Sequence, residues 1–263
     1  LYGTLLDRYL LWIRSSPRLG FEWLKTLRGA LDWLVEPANW EEVWQNLERG
    51  ARNQLELAVL GTLIFLGLLY YRRSLIKRLG EGVDAIGDVS HDRFGLTGRA
   101  LVITALLALP WPWLLAWLAW LLFVSGNAAD FSRGLGLGFV AGALLTINVT
   151  FLRQFCRPQG LAMAHFGWSE AGCRLLRRHL GWFLWIGPLG PIIVGLCEAQ
   201  PDPLYGDTLG RVAFCISSLA LTLVLWRVLD PRQPLLAGLA AELTGPTWRL
   251  FRYLWYPLIV GTY

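Results

Sequence analysis

Residues 100–124 read ALVITALLALPWPWLLAWLAWLLFV, and no charged side chain interrupts them. About 20 apolar residues are enough for an α-helix to cross the hydrocarbon of a bilayer. Thirteen of these positions are Leu, Ile, Val or Phe; each contributes about −0.3 to −0.6 kcal/mol on insertion scales, so together they favour insertion by roughly 4 to 8 kcal/mol. Pro110 and Pro112 fall in the middle of the run. Each lacks a backbone donor and crowds the turn before it, so the helix is expected to kink there. A re-entrant loop at Pro110 is the rival reading, and it would reverse the sidedness of every later connection.

Outward from this run lie four more of comparable length, at 55–71, 134–152, 181–197 and 212–229, and a further one begins near Trp255. The run at 181–197 contains WIGPLGPII, where Pro188 and Pro191 predict a second kink. The expected fold is an all-α, polytopic integral membrane protein built of repeated transmembrane helical hairpins with proline kinks. Composition agrees: 55% of residues are apolar and 16% charged, against about 25% charged in soluble domains. Fifteen tryptophans suit a chain with two membrane interfaces, where an indole can bury its ring and wet its N–H. No cleavable signal follows Leu1, and the terminal run YLWYPLIVGTY is too short to span a bilayer. The sequence is expected to be an excerpt of a longer polypeptide.

Charge sets the orientation. Of 24 basic residues, the connections 72–99, 153–179 and 227–252 hold six, five and four, while 125–133 and 198–211 hold one each. This is a strong positive-inside signal, placing the basic connections in the cytoplasm. The remaining seven lie in residues 1–54, balanced there by seven acids. A net charge of +5 distributed this way points to a membrane surface rather than nucleic acid.

Residues 1–54 are then expected outside, as periplasmic or interfacial helices preceding the membrane region 55–263. Ser16 and Pro17 read as one helix start, Trp23, Leu27, Ala30 and Leu34 as an apolar stripe, and Pro37 as its end. Asn39 with Glu42 resembles a capping box for the next helix. The stripe fits either an external domain or a helix lying along the outer leaflet.

Chemistry-bearing residues are few. In RPQGLAMAHFGWSEAGCRLLRRHLGW, residues 157–182, His165 and His179 have no carboxylate, serine or cysteine at catalytic spacing. Cys156, Cys173, Cys197 and Cys215 lack zinc spacing. A Cys197–Cys215 disulfide remains open, and no cofactor or metal is expected. Arg72, Arg73, Lys77 and Arg78, with Arg174, Arg177 and Arg178, are candidates for meeting lipid phosphate at the headgroups. Glu56, at the outer end of the first span, is the only acid within a run. Asn148, Thr146 and Thr150 are expected to bond to neighbouring helices or their own backbone. Phe94-Gly95 and Phe166-Gly167, 72 residues apart, hint that the hairpins repeat.

The series RPQGLAMAHFGW with its basic helix and proline-broken span, PANW at 37–40, and DRFGLTGRAL leading into LALPWPW resemble the peripheral membrane region of the large bacterial MscS-type mechanosensitive channels, the MscK-like group. That resemblance implies location in the bacterial inner membrane, a homoheptamer, and a pore helix and β-containing vestibule further along the polypeptide. It makes Arg157, Pro158, Gly160, His165, Phe166 and Trp168 part of a cytoplasmic connection. The function expected is therefore a tension-sensing, non-enzymatic membrane region that couples bilayer tension to a pore encoded outside it. A secondary transporter, which would show a polar cavity at the midplane, is the alternative. A membrane-embedded enzyme acting on lipid or glycan carriers is a third reading, with His91, Asp92, His165 and Glu170 as its few available groups.

Overall fold

The computed structural model describes residues 21–84, 93–126, 129–230, 233 and 235. Among these the chain is helical throughout, in the order α1 (Phe21–Leu34), α2 (Pro37–Asn53), α3 (Leu55–Asp84), α4 (Arg93–Ala108), α5 (Pro110–Val124), α6 (Asp130–Phe155), a single turn α7 (Leu161–Ala164), α8 (Glu170–Ile186), α9 (Leu189–Glu198), a turn α10 (Pro203–Tyr205) running through a π-helical stretch at Gly206–Gly210, and α11 (Arg211–Val228). Four segments, Leu55–Glu81, Asp130–Phe155, Glu170–Glu198 and Pro203–Val228, are long and apolar enough to cross a membrane. Thr97–Ala108 and Pro110–Val124 form a fifth if taken together, with a bend of 53° between them. The run near Trp255 and the Ser16–Pro17 start lie outside the described residues.

The bent pair traverses the bundle. At one end, Asn53 Nδ2 donates to the carbonyls of Val124 and Ser125 at 3.2 and 3.4 Å, placing the end of α5 beside the start of α3. Midway, the Trp113 indole donates to Gly61 O at 3.1 Å. At the opposite end, Leu79 of α3 packs with Ala100, Ile103 and Leu107 of α4. The α4–α5 pair thus runs antiparallel to α3 along its whole length.

Helix α3 does not stop at Tyr71, where the apolar run ends, but continues to Asp84. Leu75, Ile76 and Leu79 recur at helical spacing in 72–84 and cover the α4 and Leu161 cluster, so packing carries the helix past the apolar stretch.

Helix α6 is the centre of the assembly. It packs most extensively on α9 and α5, and its glycines allow the approach. A Cβ on Gly138 would stand 2.3 Å from Ile192 O, and one on Gly195 would stand 2.7 Å from the Gly138 Cα. The backbones of α6 and α9 therefore touch, the small-residue packing that helices use within lipid.

The amino-terminal helices sit on the end of the bundle that carries 125–133 and 198–211. Of the predicted stripe, Ala30 is buried with Cys197 and Leu209, with Leu27 and Leu34 packed around them, and the Trp23 indole reaches Asp207 O at 3.4 Å. The stripe thus faces protein. Two readings need correction here. Pro37 opens α2 at its first turn instead of only ending α1, because proline fits a position whose N–H would be free anyway. Asn39 and Glu42 form no capping box: Asn39 Nδ2 donates to Trp33 O at 2.9 Å, and the Glu42 carboxylate accepts from Ala129 N at 3.2 Å and Ser132 Oγ at 2.8 Å, tying α2 to the start of α6.

The two Phe-Gly pairs differ in setting. Gly95 lies within α4, whereas Gly167 precedes α8 with φ of +64°, a left-handed conformation that favours glycine. The two connections nonetheless meet, with Thr97 Oγ1 3.0 Å from His165 Nδ1.

Candidate membrane-sensing site

Proline removes the N–H that would bond the carbonyl four residues earlier. Pro112 leaves Ala108 O without its helical donor, and Pro191 does the same to Gly187 O. In both places a hydroxyl from another helix bonds the carbonyl, Gly187 O accepting Gly190 N at 3.3 Å as well. Thr150 Oγ1 of α6 lies 2.9 Å from Ala108 O, sharing its proton with Thr146 O at 2.7 Å. Ser217 Oγ of α11 donates to Gly187 O at 2.9 Å. A polar group without a partner in an apolar setting is costly, and neighbouring hydroxyls are how membrane helices tolerate such breaks. Pro110 and Pro112 lie just after the 53° bend, in the first turn of α5, whereas α8 and α9, divided at Gly187–Pro188, still run as one segment from Glu170 to Glu198. Thr146 and Asn148 bond back to Gly142 O and Leu144 O, each at 2.6 Å.

The cavities at the level of the spans are apolar. One of about 370 Å³ lies between α3 and α5, lined by Leu57, Leu60, Ile64, Trp113, Trp117 and Trp120 among others. Another of about 480 Å³ runs between α5 and the α8–α9 span over α6, with Trp111, Leu115 and Trp185 on its walls and Arg153 as its one charged lining residue. Neither is the polar midplane cavity that a transporter would require.

The basic residues gather at the other end. Arg73, Lys77 and Arg78 are exposed on the continuation of α3. Arg174 and Arg178 are exposed on α8, with Arg174 ion-paired to Glu170. Arg72 and Arg177 are half-buried and form a group with Arg153 and Arg157. Burial first, then the charges of Arg177, Arg72 and Arg153, hold the Arg157 guanidinium below its usual range. Arg157 Nη1 donates to Gln154 Oε1 at 3.2 Å. Arg153 Nε and Arg177 Nη1 are buried without a hydrogen-bond partner. The signal that could have found them was spacing, since Arg153 and Arg157 fall one helical turn apart.

His179 accepts the Trp182 indole at 3.2 Å and faces no carboxylate partner. His91 and Asp92 lie outside the described residues. Among the described residues no three His, Cys, Asp or Glu side chains gather to hold a metal. Cys197 and Cys215 line one cavity of about 530 Å³ yet are free thiols, the former buried and the latter exposed. Cys156 and Cys173 are buried side by side, and burial pushes the Cys156 thiol up to about 12. Glu56 is exposed in the first turn of α3.

A helical bundle with apolar spans, two proline breaks healed from neighbouring helices, and charge confined to its ends defines a polytopic membrane protein. Residues 55–262 match the sequence family described as "Mechanosensitive ion channel inner membrane domain 1", which covers most of the chain. The chain belongs to that family, of the MscS type, a family of ion channels and not of enzymes. It is 26% identical over 225 residues to the miniconductance mechanosensitive channel MscM of Escherichia coli (strain K12), an alignment covering 82% of this chain and 20% of that protein. The chain thus spans about a fifth of that relative's length. No solved structure matches the chain.

Proposed function

We propose that this chain is the tension-sensing membrane region of a large, MscK-like channel, coupling bilayer tension to a pore that lies outside it. The observation that carries the reading is the pair of proline-broken spans, α4–α5 and α8–α9, packed on the two sides of the glycine-lined α6. A broken span can change tilt at its break with little loss of hydrogen bonding, because the freed carbonyls are bonded from a neighbouring helix. Tilt changes the area and thickness of bilayer that the protein occupies. Lipid then acts as a ligand that favours one state over the other.

In this reading the arginine-rich end faces the cytoplasm of the bacterial inner membrane, and residues 1–54 lie outside. Arg72, Arg73, Lys77, Arg78, Arg174, Arg177 and Arg178 meet lipid phosphate, each contributing about 1 kcal/mol near an anionic surface. Helix α3, the least buried of the candidate spans, is free to pack against lipid or against another copy in a homo-oligomer, a heptamer by family resemblance. The apolar lining of the cavities between spans supports a sensor over a transporter.

Patch recording from membranes containing the full-length protein tests the proposal. Conductance should rise with applied pressure. Silence at tensions that open other channels in the same patch would sink it.

A further inference from the structure

The chain carries four cysteines and one methionine. Three of these sulfur-bearing side chains, Cys156, Met163 and Cys173, belong to one packed cluster although they come from three segments: the end of α6, the turn α7 and the first turn of α8. Cys156 and Cys173 are each 1% exposed, and their thiols lie within hydrogen-bonding reach of one another. The remaining buried members of the cluster are hydrocarbon side chains. Among the described residues no further His, Cys, Asp or Glu joins the pair to make a group of three. Zinc, which takes four such ligands, has no shell here. Soft ions of the Cu(I) type select thiolate and thioether sulfur, and a filled d shell leaves them content with few ligands.

The charge beside the pair fits the same kind of ion. Arg177 lies one turn after Cys173 on α8 and acts electrostatically on Cys156. Its Nη1 is buried without a hydrogen-bond partner, and among the described residues no carboxylate pairs with it. Two neutral thiols offer that N–H nothing ionic to bond. When Cu(I) binds, both S–H bonds break, two S–Cu bonds form and two protons leave to water, with no change of oxidation state. The site thereby passes from neutral to one negative charge. That is the counter-charge Arg177 lacks, and burial strengthens the pairing. We infer that Cys156 and Cys173 form a binding site for a soft monovalent cation, Cu(I), held as a bis-thiolate between α6 and α8 with Arg177 as its charge partner. The metal would tie together the two ends of the connection 157–169, at the foot of the α8–α9 span.

Metal binding here stands apart from gating by tension and is tested without it. The full-length protein, purified in detergent and kept anaerobic under ascorbate, is titrated against the Cu(I) complex of bicinchoninate, whose colour falls as the metal is withdrawn. The wild type should withdraw one Cu(I) per chain, and so should Cys197→Ala with Cys215→Ala. Cys156→Ala with Cys173→Ala should withdraw none. Arg177→Gln leaves both sulfurs in place and should weaken retention about tenfold. X-ray absorption at the copper edge of the loaded wild type, which depends on no variant folding, should show sulfur as the only neighbouring donor. Excess Zn(II) should leave the copper in place. Copper left on the competitor, retention undiminished in the Cys156→Ala, Cys173→Ala variant, oxygen or nitrogen neighbours, or displacement by Zn(II) would each overturn the site. Undiminished retention in Arg177→Gln would overturn the charge pairing.

Discussion

Asn46 is fully buried, its Nδ2 donating to Ser132 Oγ at 2.9 Å and to Glu42 Oε1 at 3.0 Å. Ser132 is equally buried, and its hydroxyl donates to the same carboxylate oxygen. This small polar knot fixes α2 to α6 at a place where water is excluded. Asn46→Leu should therefore cost about 1–3 kcal/mol, since it removes the amide that bonds both Ser132 Oγ and Glu42 Oε1 in a buried place; a lowered unfolding midpoint in detergent would register it. Cys156 offers a pH readout. Its thiol is raised from 9.0 to about 12 by burial, with Cys173 adding to the effect. The folded state holds that proton more tightly than the unfolded state does. The stability it contributes is fully present below pH 9.0 and is lost as pH climbs towards 12. Over that interval the midpoint should fall more steeply in the wild type than in Cys156→Ala. Parallel curves would show that Cys156 is not the group responsible.

At the scale of elements, the two breaks use one solution. Pro112 frees Ala108 O and Pro191 frees Gly187 O, and each of these two carbonyls receives a hydroxyl from an adjacent helix. Thr150→Val and Ser217→Ala should each destabilise by about 0.6 kcal/mol, and up to roughly 1.7, as read by unfolding in mixed micelles. Pro112→Ala restores a donor for Ala108 O and should straighten the 53° bend. Spin labels placed on exposed positions of α4 and α5 would then move further apart, and pressure thresholds should shift with them. An unchanged distance would mean that packing against α3 and α6, not proline, sets the bend.

For the whole molecule, the ends of the bundle carry the topology. Lys77 and Asp202 are both exposed and lie at opposite ends. With the native cysteines replaced, a membrane-impermeant maleimide added to cells with a permeabilised outer membrane should label Asp202→Cys and spare Lys77→Cys. The reverse pattern would invert the proposed orientation. The apolar runs, the proline breaks and the arginine asymmetry were legible because each rests on local chemistry. Extension of α3 to Asp84 was not, since Leu75, Ile76 and Leu79 need a partner surface to define a helical face. Nor was the role of Glu42, whose partners stand some 90 residues away.

By itself the sequence determined that this chain is an all-α, polytopic membrane protein and that one apolar run bends at Pro110. Those properties follow from transfer energies and backbone donors, which each residue carries with it. Only the tertiary structure decided that Thr150 and Ser217 bond the freed carbonyls, that α6 and α9 meet backbone to backbone at Gly138, and that Arg153 and Arg177 share a buried place without a counter-charge. Those outcomes depend on which surfaces approach in space, and distance along the chain does not fix that.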